Sequence, residues 1–130
     1  MDIEIETHDK VDVVDITTEI DAQIPDEIAS GICHVFVRHT TAGVIVNENE
    51  QRLITDIVNV LQYLVSDDRQ YKHNQIDNNA TAHLRSLLLG ESVTVPINEG
   101  TLDLGTWQSI LFVEGDGPRS RQITITSIST

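Results

Sequence analysis

The chain has 130 residues, a length that predicts one domain over residues 1–130 with a core large enough to need no disulfide or metal. Its formal net charge of -13, from 21 acidic and 8 basic residues, argues against a nucleic-acid partner, because binding to phosphate backbones requires a basic face. No apolar run reaches the ~18 residues of a membrane helix, and the start has no signal-peptide pattern. The lone Cys33 predicts a buried thiol and a reducing, cytoplasmic location.

The first half of the chain alternates predicted strands and helices. Period-two alternation of apolar and polar residues predicts strands over residues 3–6, 11–16, 32–39 and 44–47. Ile24 and Ile28 lie at helical spacing, which predicts a helix over residues 21–30 that Gly31 ends. A longer amphipathic helix is predicted over residues 49–65, where leucine and isoleucine recur along one stripe.

The second half begins with a polar segment, residues 66–78, that is predicted to be a long loop. A short helix follows over residues 81–89 and ends at Gly90. Strands are predicted over residues 92–97, 108–114 and 122–129, and the turn-forming sequence GDGPRS joins the last two. Strands separated by single helices favour an α+β fold with a large sheet and two to three helices.

One stretch, HTTAGVIVNENE at residues 39–50, mixes polar and apolar residues in a way that no ordinary strand requires. Related polar pieces lie downstream: YKHN at 71–74, NATAH at 79–83, GTWQ at 105–108 and EGDGPRSR at 114–121. Three of the five histidines, His39, His73 and His83, fall in the first three pieces, and Arg119 and Arg121 close the last. Together the pieces predict one polar site assembled from distant parts of the chain.

Each of these residues also has an ordinary structural explanation. His39 would be a half-buried residue at a strand end, and Glu48 would be a carboxylate favoured near a helix N-terminus. His73 would be an exposed loop residue, and His83 would straddle the edge of a buried helix face. Trp107 would anchor a core or an interface. The histidine spacing matches no local metal motif, so a shared metal would require convergence in the folded chain.

The arginines leave two alternatives open. Arg119 and Arg121 flank Ser120 at the start of the last predicted strand, and in a regular strand their side chains would share a face. There they would either pair with carboxylates or bind an anion. The chain has no Gly-rich phosphate loop, GxSxG nucleophile elbow or dinucleotide-binding fingerprint.

The ordered set HTTA, NEN, YKH, AH, LGES, P, G, GTWQ, E and R resembles the YjbQ-like family, over nearly the whole chain. The matching residues are His39, Thr40, Ala42, Asn47, Glu48, Asn49, Tyr71, His73, His83, Gly90, Ser92, Pro96, Gly100, Gly105, Trp107, Gln108, Glu114 and Arg121. Two positions depart from the family pattern: Asn79 stands where members often carry an acidic residue, and Thr81 where many have proline. If that acidic residue is a ligand or base in the family, the role is open at Asn79.

The resemblance implies an α+β fold with a large mixed sheet, assembled as a homotrimer with its site between subunits. It implies a secondary thiamine-phosphate synthase, which joins hydroxymethylpyrimidine diphosphate to hydroxyethylthiazole phosphate and releases diphosphate. The implied catalytic residues are His39, Glu48, His73 and His83, and the implied substrate contacts are Thr40, Asn47, Gln108 and Arg121. Arg119, which does not belong to the matching set, is a further predicted substrate contact because of its place beside Arg121. The three histidines would also be ligands of a divalent metal, Mg²⁺ or Zn²⁺.

Two other functions fit the same residues. One is a metal-dependent hydrolase built around an activated water, and the other is a non-catalytic trimer that binds a metal or a small anion. Departing diphosphate requires charge neutralisation, yet the site offers only Arg119, Arg121, Lys72 and protonated histidines. A net charge of -13 would also repel two phosphorylated substrates. We therefore expect either a bound divalent metal or a slow reaction.

Overall fold

A computed structural model describes residues 1–130 and contains eight strands and three α-helices. The strands are β1 (Asp2–Glu6), β2 (Asp12–Asp15), β3 (Gly31–Val37), β4 (Ala42–Asn47), β5 (Ser92–Asn98), β6 (Thr101–Leu102), β7 (Ser109–Glu114) and β8 (Ser120–Ser129). The helices are α1 (Thr17–Asp21), α2 (Gln51–Leu64) and α3 (Ala80–Leu89), and a 3-10 turn covers Lys72–Gln75. The predicted α+β class is confirmed.

The strands form two sheets. Five strands pair in the order β1-β8-β3-β5-β6 and three in the order β2-β7-β4, and every pair is antiparallel. The expected single large mixed sheet is therefore wrong in detail. Only β5 and β6 are consecutive strands that pair with each other, and every other connection passes from one sheet to the other.

Both sheets contribute to one hydrophobic core of 16 buried residues. Alternate residues of β3, Cys33, Val35 and Val37, point inward, as do Ile123 and Ile125 of β8. From the three-stranded sheet, Val44 of β4 and Ile110 and Phe112 of β7 join the same cluster. The buried thiol of Cys33 is confirmed, and burial raises its pKa. The shared core makes the chain a single domain.

The first predicted helix is wrong. Residues 22–30 form turns and bends, and the helix that the structure contains, α1, lies earlier at Thr17–Asp21. Ile24 and Ile28 are buried as expected, but through successive turns rather than a helix. Pro25 explains the difference, because proline lacks the N–H that a continuing helix would require.

The other two helices confirm the sequence pattern. Helix α2 begins after Glu50, whose side chain accepts a hydrogen bond from the Arg52 N–H, and α3 lies within a residue of its predicted limits. The short strand β6 and the 3-10 turn inside the expected loop were not predicted. No helix combines the length and apolar character needed to cross a membrane.

Candidate functional site

A polar cleft of about 480 Å³ lies where the chain leaves β3, starts β4, enters α3 and turns from β7 into β8. Its lining residues are Arg38, His39, Thr40, Thr41, His73, Ile76, Asp77, Asn79, His83, Asp116, Arg119 and Arg121. Antiparallel pairing of Ala42 with Glu114 places the start of β4 beside the end of β7, so the two loops meet. The fold thus brings together six of the predicted site residues, among them all three histidines.

His39 is held by the backbone of β8. Its Nε2 atom accepts a hydrogen bond of 2.8 Å from the N–H of Gln122. Burial lowers the pKa of His39, and repulsion from the Arg121 guanidinium lowers it further. His39 is therefore a neutral imidazole at pH 7, and its proton lies on Nδ1 because Nε2 is an acceptor.

His73 and His83 form a pair. Their ring centroids are 4.7 Å apart, and the rings meet edge to face at 78°. The His73 Nε2 atom is 3.0 Å from Oδ1 of Asn79, the residue just before α3. The Asn79 amide nitrogen in turn donates to Asp116 Oδ2 at 3.4 Å. Asn79 therefore links the histidine of the 3-10 turn to the β7–β8 loop.

Arg121 is buried and paired with a carboxylate, which is the first of the two alternatives that the sequence left open, whereas the family resemblance implied a substrate contact. Only 2% of Arg121 is exposed, and its guanidinium forms a two-point contact with the fully buried carboxylate of Glu114. Its Nη2 also donates to Thr41 Oγ1 at 2.8 Å. Burial alone would raise the pKa of Glu114, but hydrogen bonds, first of all from Arg121, outweigh it and lower the pKa. Glu114 is therefore charged, and the pair is neutral overall.

The two other arginines of the cleft differ in their partners. Arg119 donates from Nη2 to Asp116 Oδ2 at 2.9 Å and from Nε to the Asp116 carbonyl at 2.7 Å. Arg38 donates from Nε to the hydroxyl of Thr124 and makes no ion pair. Arg38 is therefore the one arginine of the cleft that forms no ion pair, and Asp77 is a lining carboxylate that also forms none.

Three predicted site residues lie elsewhere. Asn47 and Glu48 are at the far end of β4, about 20 Å from Thr41 for an extended strand. Gln108 precedes β7 at that same far end, where its Oε1 accepts a hydrogen bond from Gly105 N–H. The expectation that Glu48 shares a pocket with the histidines is therefore wrong within one chain. Residues close in the linear motif are separated because β4 is extended between them.

The structure contains no group of three or more His, Cys, Asp or Glu side chains placed to hold a metal ion. The three histidines line one cleft, but the Nε2 atom of His39 is already occupied by the Gln122 N–H. The histidines thus do not form a preorganised ligand set. Trp107, expected in a core or an interface, is 72% exposed and so is not a core residue.

Sequence reasoning did not assign site roles to Arg38, Glu114 or Asp116. A signal for the buried pair was present, since Glu114 ends the buried run of β7 and Arg121 alternates with Ile123 on the inward face of β8. A charged residue at such positions indicates a partner of opposite charge. No comparable signal identifies Arg38, which looks like any exposed strand-end arginine.

The chain is similar to known proteins over its whole length. The family model described as "UPF0047 protein YjbQ-like" matches residues 1–130. A UPF0047 protein of Methanothermobacter thermautotrophicus is 47% identical over 95% of this chain and 87% of its own, and one of Archaeoglobus fulgidus is 41% identical over 98% and 100%.

Solved structures agree with this result. A YbjQ-like protein of unknown function from Sulfolobus solfataricus is 40% identical, with a TM-score of 0.95 over 100% of this chain and 96% of its own. A hypothetical protein from Aeropyrum pernix is 39% identical, with a TM-score of 0.94 over 100% and 98%. On sequence and fold alike, the chain belongs to the YjbQ-like UPF0047 family.

Proposed function

We propose that the cleft binds the phosphate group of a small molecule. The observation that carries this proposal is the guanidinium of Arg38, which lines the cleft without a carboxylate partner. Three of the six arginines and three of the five histidines line this cleft, in a chain whose net charge is -13. Against these groups stand two lining carboxylates, Asp77 and Asp116. The excess of hydrogen-bond donors over carboxylates favours an anion at this place.

We propose further that the protein is a thiamine-phosphate-synthase-like transferase. In that reaction the thiazole nitrogen attacks the methylene carbon of the pyrimidine diphosphate. A C–N bond forms, the C–O bond breaks, and diphosphate leaves with the electron pair. Arg38 and Arg119 would bind the departing diphosphate, and His39 Nδ1–H would donate a hydrogen bond to its oxygens. With one arginine that forms no ion pair, we expect this reaction to be slow.

A divalent metal, Mg²⁺ or Zn²⁺, remains a prediction for the substrate-bound protein. The chain does not group its histidines as a complete ligand set, so substrate oxygens would have to supply ligands. A metal-dependent hydrolase, which needs a metal-activated water, receives no support from this arrangement. A non-catalytic anion-binding protein is the stronger alternative, because it requires only the guanidinium of Arg38, which forms no ion pair, and no metal-activated water.

The test of phosphate binding is calorimetric titration of wild type, Arg38→Gln and Arg52→Gln with inorganic phosphate. Arg52 is a matched control, since its side chain is 91% exposed on α2 outside the cleft. Loss of a charge-assisted contact is worth roughly 1.5–3 kcal/mol, so Arg38→Gln is expected to weaken binding at least about tenfold. Equal affinities for the two variants would contradict the proposal.

The test of transfer is diphosphate release from the two precursors, with and without a chelator. Release that requires both precursors and weakens in Arg38→Gln supports the transferase. Phosphate binding without release supports the anion-binding alternative. Release that the chelator abolishes supports the predicted metal.

We also propose a homotrimer whose site includes Glu48 and Gln108 of a neighbouring copy. The cleft of one chain lacks both residues, while the far end of β4 presents Glu48 beside the exposed Trp107 segment. A head-to-tail contact between the two ends of the three-stranded sheet closes into a ring when its rotation allows. Sedimentation equilibrium decides the oligomeric state. In mixed oligomers, Glu48→Gln and His83→Ala subunits should restore activity that each variant lacks alone.

The cytoplasmic location also remains a prediction. It rests on Cys33, an unpaired thiol buried in the core. Fractionation of the producing cells would check it.

A further inference from the structure

We infer that the substrate of this site carries an uncharged, apolar group next to its phosphate, and that this group lies in a groove along α3. The inference rests on the proposed phosphate binding and adds the chemical class of the ligand. Its basis is a continuous series of three cavities. His73 and His83 line both the polar cleft and a second cavity of about 380 Å³. Tyr71 and Leu84 line both that second cavity and a third of about 340 Å³.

Helix α3 has two different faces. Ser86 and Leu89 lie on the face against β4, where the Ser86 hydroxyl donates to the Ala42 carbonyl at 2.6 Å and Leu89 lies close to Gly43. The other face carries Leu87, which is 67% exposed, and Leu88, which is 53% exposed. The exposed face of a helix normally carries polar residues, so an apolar stripe there indicates a surface that binds something.

The third cavity, which we call the leucine groove, is lined by Leu64, Val65, Arg69, Tyr71, Leu84, Leu87 and Leu88. The Tyr71 hydroxyl donates to the Ser66 carbonyl at 2.6 Å, so its hydrogen-bonding capacity is used inside the protein. Arg69 is the only charged residue of the groove and is exposed, so its guanidinium stays in water while its stem contacts apolar surface. The groove therefore suits an aliphatic or aromatic group without charge.

The order of features along the surface argues for a small molecule rather than a second copy of the chain. The polar cleft comes first, then the His73–His83 pair at the junction, then the leucine groove. A phosphomonoester has the same order: phosphate, ester oxygen, apolar body. The histidine pair would then lie at the ester linkage. A surface used only for self-association would have no reason to continue into the phosphate cleft.

The experiment measures the affinity of the full-length protein for inorganic phosphate, methyl phosphate and benzyl phosphate. We expect benzyl phosphate to bind at least about tenfold more tightly than methyl phosphate, because burial of several carbon atoms is worth more than a tenfold factor. The variant Leu87→Gln/Leu88→Gln should lose this preference and retain its affinity for inorganic phosphate within about twofold. Ile128→Gln, at an equally exposed leucine-sized position on β8, is the matched control and should keep the preference.

The outcomes separate the two proposals. Failure of the wild type to bind any of the three phosphates overturns the proposed function. Binding of inorganic phosphate without preference for benzyl phosphate overturns only the apolar subsite, and so does a preference that survives in the leucine variant. If the leucine variant instead sediments with a lower mass than wild type, a second copy occupies the groove and the inference is wrong. Single Leu87→Gln replaces the double variant if the latter unfolds, because Leu87 is the more exposed of the two.

Discussion

The imidazole of His39 accepts, at Nε2, the backbone N–H of Gln122 on β8 at 2.8 Å. This contact joins the end of β3 to β8 beyond the last regular pair of the two strands. It also leaves Nδ1–H as the only group of His39 that can act on a ligand. His39 is therefore a hydrogen-bond donor of fixed orientation, and neither a free base nor a metal ligand at Nε2.

We predict that His39 makes stability fall as the pH drops below about 6.5. Burial and the charge of Arg121 lower the pKa of His39 from its ordinary value of 6.5, so the unfolded chain binds the proton more readily than the native chain. The contribution of neutral His39 to the free energy of unfolding is then fully present above pH 6.5, and it is lost as the pH falls through the lower native pKa. Urea unfolding at pH 7.5 and 5.5 checks this. His39→Gln should show a smaller loss between these pH values than wild type, and an equal loss would contradict the prediction.

We predict that Glu114→Leu destabilises the protein by about 3–5 kcal/mol, because it leaves the buried Arg121 charge without its carboxylate. Glu114→Leu combined with Arg121→Met removes both charges and should be more stable than the single variant. Urea unfolding measures both. Arg119→Gln, which breaks the exposed pair with Asp116, is the control and should change stability by only about 0–1 kcal/mol.

The same pair predicts an acid limb in the stability profile. The hydrogen bonds from Arg121 hold the native pKa of Glu114 below its ordinary value of 4.5 despite burial, so the contribution of the pair is present above pH 4.5 and is lost as the pH falls through the native value. The free energies of unfolding of wild type and Glu114→Leu should therefore converge as the pH is lowered from 4.5. This burial also means that substitution of Arg121 reports mainly on folding, so Arg38 is the cleaner probe of ligand binding.

How much the sequence could predict depended on whether the signal was local. The apolar stripe of α2 and the apolar–polar alternation of β3 are patterns within a few consecutive residues, and both elements form where expected. The helix expected over residues 21–30 failed because the spacing of Ile24 and Ile28 reports burial, which turns around Pro25 also achieve.

The candidate site shows the same difference between local signals, which the sequence reveals, and spatial arrangements, which it does not. Motif recognition identified the three histidines that line the cleft, but it grouped Glu48 with His39 because the two lie in one linear stretch. Only the extended geometry of β4 reveals that they lie at opposite ends of a strand. The pairing of Arg121 with Glu114 depends on which residues of β7 and β8 face inward together, which requires the register of both sheets.

We predict that Gly43→Ala displaces α3 from β4 and so weakens phosphate binding as well as stability. A Cβ at Gly43 would lie 2.6 Å from Leu89 Cβ and 2.8 Å from the Gly90 carbonyl oxygen. Overpacking of this kind costs about 1–3 kcal/mol, and His83 lies on the helix that must move.

Gly105→Ala is the control, since its Cβ would meet only the flexible end of Gln108. Unfolding and phosphate titration on both variants check the prediction. Unchanged phosphate affinity in a destabilised Gly43→Ala would show that the position of α3 does not govern the cleft.

Asn79→Asp is predicted to change the ligand preference of the cleft from anions to divalent cations. The Asn79 amide lies between His73 and Asp116, so an aspartate there would add a negative charge beside the phosphate site. Phosphate affinity should fall about tenfold, since two charges near a protein surface interact by a few kcal/mol at contact and less when they are further apart. Affinity for Zn²⁺ should rise at least about tenfold, because two histidines and one carboxylate are a common ligand set for this metal.

Asn78→Asp adds the same charge at an exposed neighbour outside the cleft lining and should change neither affinity by more than about twofold. Calorimetry with phosphate and with Zn²⁺ measures both effects, and identical behaviour of the two variants would show that net charge, rather than the place of Asn79 beside His73, sets the preference.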